Sequence, residues 1–164
     1  MLANFTSTRL FALMCAACIA MLAFGLYLQH VVGLEPCPMC IVQRYALVIV
    51  GLLAAGTAFA SKKAPVVVGA LALVVTSAAG AFVAARQSYL QLYPPEVASC
   101  GRDLYGMIET FPLKRAIPMI FKGSGDCTKI DWTFLGLSIA NWSFLCFVTI
   151  ALVSAAVIFK RLQK

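Results

Sequence analysis

CPMCIVQRYALVIVGLLAAGTAFA, residues Cys37–Ala60, joins a reactive motif to an apolar run. From Ile41 to Ala60 there is one charge, Arg44, close to the start. A helix of ~20 apolar residues crosses a ~30 Å hydrocarbon core. At the head of the run stands Cys37-Pro38-Met39-Cys40, a C-x-x-C. Pro38 suits the first turn of a helix, where its missing N–H costs nothing. The helix N-terminus then points positive charge at the thiols, which favours thiolate, the nucleophilic form.

Three further stretches match the first in length and apolarity: Leu10–Gln29, Pro65–Arg86 (uncharged as far as Ala85) and Trp142–Phe159. Hydrophobic residues make up 62% of the 164 and charged residues 12%. Soluble domains run near a quarter charged, so much of this chain has lipid as its solvent. Period-two alternation is absent, which argues against a barrel, and helices satisfy their own backbone in lipid. The expectation is an all-α membrane protein: one domain over residues 1–164, a four-transmembrane-helix bundle with spans at about 10–29, 41–60, 65–86 and 142–159 and outer loops at 30–40 and 87–141. Arg9 precedes the first apolar run, as a basic residue does in a cleaved signal peptide. The run is long for that role, however, and Ala16, Ala17 and Ala20 lie inside it and not after it, so it reads as a retained span.

Charge sets the orientation. The acids are Glu35, between spans one and two, and Glu96, Asp103, Glu109, Asp126 and Asp131, between spans three and four. The opposite side carries Arg9, Lys62, Lys63, Lys160, Arg161 and Lys164 and no acid. This is the positive-inside pattern, with both termini cytoplasmic. The net charge of +7 then reads as topology and contact with anionic lipid, not as nucleic-acid binding. In the long loop, Leu104–Phe121 mixes apolar residues with Lys114 and Arg115 and is broken by Pro112 and Pro118. Short interfacial helices are the expectation there, with an irregular loop as the alternative.

Topology also sorts the seven cysteines. Cys37, Cys40, Cys100 and Cys127 fall in the outer loops; Cys15, Cys18 and Cys146 fall inside spans. A C-x-x-C disulfide closes a tiny ring that stabilises little and opens easily, which favours a redox role. A metal site would need ligands from Cys100, Cys127 and His30 without a second outer C-x-x-C, and none is expected. Cys100 and Cys127 are either a structural bridge or a second dithiol that hands disulfides to a soluble protein; flanking Gly101, Gly123 and Gly125 suit the access that exchange requires. Cys15-Ala16-Ala17-Cys18 has the same spacing but lies in apolar surroundings, where thiols are inert. Arg44 lies one turn below Cys40, on the same helix face. A charge just inside the membrane is expensive and usually functional, and a guanidinium suits a thiolate or a carrier's carbonyl oxygen. His30, the single histidine, is a weaker candidate for proton relay.

Cys37-Pro38-Met39-Cys40 with Arg44 at the start of span two resembles the disulfide bond formation protein B (DsbB) family. Leu90-Gln91, Pro94-Pro95, Cys100-Gly101, Gly125-Asp126-Cys127, Trp132–Ser138 and Trp142 are similar to it as well, so the resemblance covers nearly the whole chain. It implies a quinone-dependent protein-disulfide oxidoreductase of the bacterial inner membrane, with its active loops periplasmic. The Cys100/Cys127 pair would oxidise a DsbA-like thioredoxin-fold protein, which attacks at Cys100. Cys37/Cys40 would reoxidise that pair, and electrons would pass from Cys40 to a quinone (ubiquinone or menaquinone) bound with help from Arg44. One departure stands out: many relatives have His after the arginine that ends span three, whereas here Arg86 is followed by Gln87. Arg86 remains a candidate for the quinone interface. The competing readings are a membrane assembly protein whose outer loop is stapled by disulfides, and a vitamin-K-epoxide-reductase-like enzyme, in which the C-x-x-C should lie late in the bundle. A DsbD-like reductant would need a cysteine-bearing cytoplasmic face, which this chain lacks.

Overall fold

The computed structural model describes residues 2–94, 125–128, 130 and 132–163. In chain order these form α1 (Leu2–His30), α2 (Pro38–Ala58), α3 (Lys63–Leu92), the one-turn helix α4 (Gly125–Thr128), a hairpin of β1 (Thr133–Phe134) and β2 (Leu137–Ser138), and α5 (Ile139–Leu162). Helices α1, α2, α3 and α5 are each long and apolar enough to cross a membrane. Leu104–Phe121, where interfacial helices are expected, and Cys100 lie outside the described residues.

The helix ends depart from the expected spans in informative ways. Helix α2 begins at Pro38, with Cys37 as its N-cap, so Cys40 belongs to the first turn and not to a loop over 30–40. Helix α3 does not stop before Gln87. Val83, Ala84, Gln87 and Leu90 stay buried at three- and four-residue spacing, and the helix runs on to Leu92. It ends where Tyr93 meets Pro94, since a residue before proline is pushed away from the α region. Helix α5 starts at Ile139 behind Ser138, whose hydroxyl accepts the Asn141 N–H at 3.5 Å.

Helix α3 lies between α2 and α5 and packs on both, while α1 packs on α2. Lipid offers no hydrophobic drive for helix association, so close packing has to supply it. Gly80 does this between α3 and α5: a Cβ there would meet the Phe147 ring at 2.6 Å. Phe11, Cys18, Val50, Leu73 and Phe147 fill the interior, whereas Leu13, Leu52, Val68 and Leu152 face outward and are exposed. Thr57 and Thr149 donate to the carbonyls of Leu53 and Leu145, at 2.6 and 2.7 Å, which hides their hydroxyls from hydrocarbon. Arg161 donates to Ser7 at 3.2 Å, so the start of α1 and the end of α5 meet at one end of the bundle. Cys37 and the hairpin stand at the other.

The hairpin has no counterpart in the expected all-helical plan. Leu135 (φ 53°) and Gly136 (φ 77°) both take left-handed backbone, as a two-residue type I′ turn requires. Thr133 pairs with Ser138 and Phe134 with Leu137. The hairpin is tied to α3 by Ser138, which donates to Gln91 at 2.7 Å, beside the Ser88–Asn141 bond of 2.7 Å.

Candidate active site at the head of helix α2

The N-cap geometry builds the dithiol. Cys37 sits at φ −65°, ψ 160°, and its Sγ accepts the Cys40 N–H at 3.3 Å, the cap bond usually made by a Ser or Asp oxygen. This turn folds the two sulfurs together, 2.9 Å apart, with either thiol able to donate. Cys37 is 6% exposed and Cys127 is fully buried. Helix α4 lies against α3, and Cys127 joins Cys37, Met39, Val83 and Leu90 in one apolar cluster. Hydrogen bonding to Cys127 first, then to Cys40, together with burial, pushes the Cys37 thiol well above its ordinary range. Of the four outer cysteines, three therefore meet at one place.

Two glutamines complete the arrangement. The Gln87 Nε2 amide donates to Cys40 Sγ at 3.2 Å and to Cys37 Sγ at 3.4 Å. Gln43 Nε2 in turn donates to Gln87 Oε1 at 2.6 Å. Both side chains are buried. From sequence, Gln87 is visible as a departure from a pattern, while Gln43 carries no signal except its place one turn below Met39 on a polar-poor helix.

Arg44 follows on the next face of α2. Its guanidinium donates to Gln29 Oε1 and, at 2.9 Å, to the Gly25 carbonyl, both on α1. Its partners among the described residues are neutral oxygens, so the charge itself stays available to an anion or a polarised carbonyl. Arg86 does not join this group; its guanidinium lies over the Tyr89 ring, 5.5 Å from the centroid. His30 ends α1 and is exposed. Cys15, Cys18 and Cys146 lie in the interior of the bundle, away from the dithiol.

Beneath Cys40 and Arg44 opens a cleft of about 960 Å³ between α1 and α5. Its upper wall is aromatic: Phe24 meets Trp132 edge-on at 5.3 Å, Trp132 stacks on Phe134 at 6.0 Å, and Trp142 Nε1 donates to the Phe134 carbonyl at 3.1 Å. Lower down it is lined by Leu10, Met14, Ala17 and Val153. Cys37, Cys40, Gln43, Arg44 and Gln87 are among the polar groups at its head, and Glu35 also lines it.

Thiol–disulfide exchange at the head of a membrane helix is the chemistry these residues can perform, which makes the chain a multi-pass membrane thiol oxidoreductase. The comparisons with known proteins give the same class. The family model described as "Disulfide bond formation protein DsbB" matches residues 7–157, and the chain belongs to this family of disulfide-forming proteins. It is 75% identical over 150 residues to "Disulfide bond formation protein B" of Polaromonas sp. (strain JS666 / ATCC BAA-500), covering 92% of this chain and 89% of that one. It is 69% identical to the protein of that name from Polaromonas naphthalenivorans (strain CJ2), over 92% and 90% of the two chains. With its namesake in Aromatoleum aromaticum (strain DSM 19018 / LMG 30748 / EbN1) it shares 50% identity over 96% and 95%.

Proposed function

We propose that the chain oxidises a DsbA-like thioredoxin-fold protein and passes the electrons through Cys100/Cys127 and Cys37/Cys40 to a membrane quinone. The observation that carries this reading is the meeting of Cys127, Cys37 and Cys40 at the head of an apolar cleft that also holds the Arg44 guanidinium. The partner's thiolate attacks Cys100 Sγ, and the electron pair of the Cys100–Cys127 bond leaves on Cys127. The partner's second thiol then releases the partner as a disulfide. Cys127 attacks Cys37, its neighbour, and the Cys37–Cys40 electron pair leaves on Cys40. Cys100 attacks Cys127 in the resulting Cys37–Cys127 bridge, which restores the loop pair and leaves Cys37 and Cys40 reduced.

The cleft fits a quinone in kind: it is long, apolar and of ligand size, with few polar groups gathered at one end. A quinone bound there would supply an acceptor for two electrons and two protons, regenerating the Cys37–Cys40 disulfide. Arg44 would hold its carbonyl oxygen near Cys40, and Gln29 with Gly25 would hold Arg44. This reading sets the Cys37 end in the periplasm and the Arg9, Lys62 and Arg161 end in the cytoplasm of a bacterial inner membrane.

The experiment is turnover in liposomes containing ubiquinone or menaquinone, with a reduced DsbA-like protein added outside. Partner oxidation and quinone reduction should proceed one to one, and Cys40→Ser should abolish both. Full turnover by Cys40→Ser sinks the scheme.

A further inference from the structure

The buried Gln43–Gln87 pair has more order than packing requires. A glutamine side chain presents either its oxygen or its nitrogen to a neighbour, since the two ends have the same shape. Facing a thiolate, the oxygen repels and the nitrogen attracts. The Gln43–Gln87 bond couples the two orientations: with Gln43 Nε2 on Gln87 Oε1 at 2.6 Å, the N–H bonds of Gln87 Nε2 face the sulfurs of Cys40 and Cys37 at 3.2 and 3.4 Å, while Gln87 Oε1 stands farther from Cys40 Sγ, at 3.7 Å, where it accepts only from a protonated thiol. The two glutamines stand 44 residues apart in the chain and meet because α2 and α3 pack side by side here.

We propose that Gln87 is a further catalytic residue, an amide donor that receives the negative charge on Cys40 when the Cys37–Cys40 bond is broken, and that Gln43 is the positioning residue that fixes its orientation. This rests on the reading of Cys37/Cys40 as the exchanging pair. When Cys127 attacks Cys37, one sulfur–sulfur bond forms, another breaks, and the electron pair goes to Cys40. The donor already aimed at Cys40 needs no rearrangement to receive it, the logic of a preformed oxyanion hole applied to sulfur. Burial of Gln43 and Gln87 strengthens the bond from the donor's side, because water does not compete for the amide. The same nitrogen also reaches Cys37, so whichever sulfur is free of the mixed disulfide is served by one group.

The test needs neither quinone nor partner, so it stands or falls apart from the turnover scheme. The full chain is purified in detergent and reduced. Iodoacetamide alkylation of Cys40 is then followed at neutral pH by peptide mass spectrometry, with unfolding temperature as a control on each variant. A hydrogen bond to a charged group is worth roughly tenfold to a hundredfold in thiolate population. The thiolate's lower nucleophilicity takes back about half of that exponent. Gln87→Met, which keeps the shape and drops the donor, should therefore slow alkylation of Cys40 about threefold to tenfold. Gln87→Glu, which puts an acceptor in the donor's place, should slow it at least as much. Gln43→Met should slow it less, and should add nothing on top of Gln87→Met. Wild-type alkylation in folded Gln87→Met overturns the role of Gln87, and an additive double variant overturns the orienting role of Gln43.

Discussion

Replacing Arg44 by Met separates what the residue does for the fold from what it does for the reaction. The structure gives both sides of the stability balance. Loss of the guanidinium leaves Gln29 Oε1 without its donor, a penalty of about 1–3 kcal/mol, whereas the Gly25 carbonyl lies within α1 and keeps its helical N–H. Against this, an arginine held at the centre of a membrane helix costs about 2.5–3.5 kcal/mol, and one near the helix head costs less. The two terms nearly cancel, so Arg44→Met should unfold within about 1–2 kcal/mol of the wild type. Quinone use should change far more. A charged hydrogen bond to a carbonyl is worth about 1.5–3 kcal/mol, which is roughly tenfold to a hundredfold in quinone KM. The assay is steady-state turnover with a short-tailed quinone and a saturating reduced DsbA-like protein, beside thermal unfolding of the same preparation. Arg44→Lys should recover part of the loss, since it keeps the charge and loses the fork. A folded Arg44→Met protein with wild-type quinone KM would refute the placement of the quinone at Arg44.

Two further expectations follow from geometry outside the cleft. Gly80→Ala forces a methyl to within 2.6 Å of the Phe147 ring, and overpacking of this kind should destabilise the bundle by about 1–3 kcal/mol in thermal unfolding, with partial rescue by Phe147→Leu; an unchanged transition would show that α3 and α5 are less tightly joined than they stand here. Cys37, just outside the α2 span, has its thiol pushed up by Cys127, Cys40 and burial, so the neutral form persists above the ordinary thiol range of about 8.5. Its alkylation in the reduced protein should therefore stay slow as pH rises through that range, and Cys127→Ala, which removes the largest cause, should bring reactivity on at lower pH; rapid modification of Cys37 in the wild type would contradict the contact.

The bundle was legible because lipid imposes a coarse rule on sequence. Four long apolar runs and a one-sided distribution of lysine and arginine are enough to lay out four helices, and DsbB-like spacing of cysteines supplied the family. The boundaries were less legible. Gln87 reads as polar and so as loop, yet its amide is satisfied by two sulfurs and a second glutamine, and the helix continues through it. The hairpin was missed because strands of two residues carry no period, and because Leu135 at positive φ violates the usual Asn-Gly signature of its turn. The meeting of Cys127 with Cys37 lies beyond any local pattern, since it depends on α4 folding back onto α3.

The choice of a neutral donor at Gln87 follows from the charge already present. On the proposed scheme, a thiolate on Cys40 has Arg44 one helical turn below it, so the new negative charge already has a cation at the head of the cleft, whose lining also includes the exposed Glu35. A histidinium or lysine at position 87 would add a second positive charge beside Arg44, which is costly to hold whenever the sulfurs are bonded to each other and neutral. A carboxylate would repel the thiolate outright. The carboxamide escapes both problems: it gives two hydrogen bonds, adds no charge, and asks only that its orientation be fixed. Gln43 does that at 2.6 Å, from the same helix that carries Cys40 and Arg44. The dithiol, its cation and the residue that sets its donor therefore move as one body on α2, and the donor itself comes from the helix against which α2 is packed.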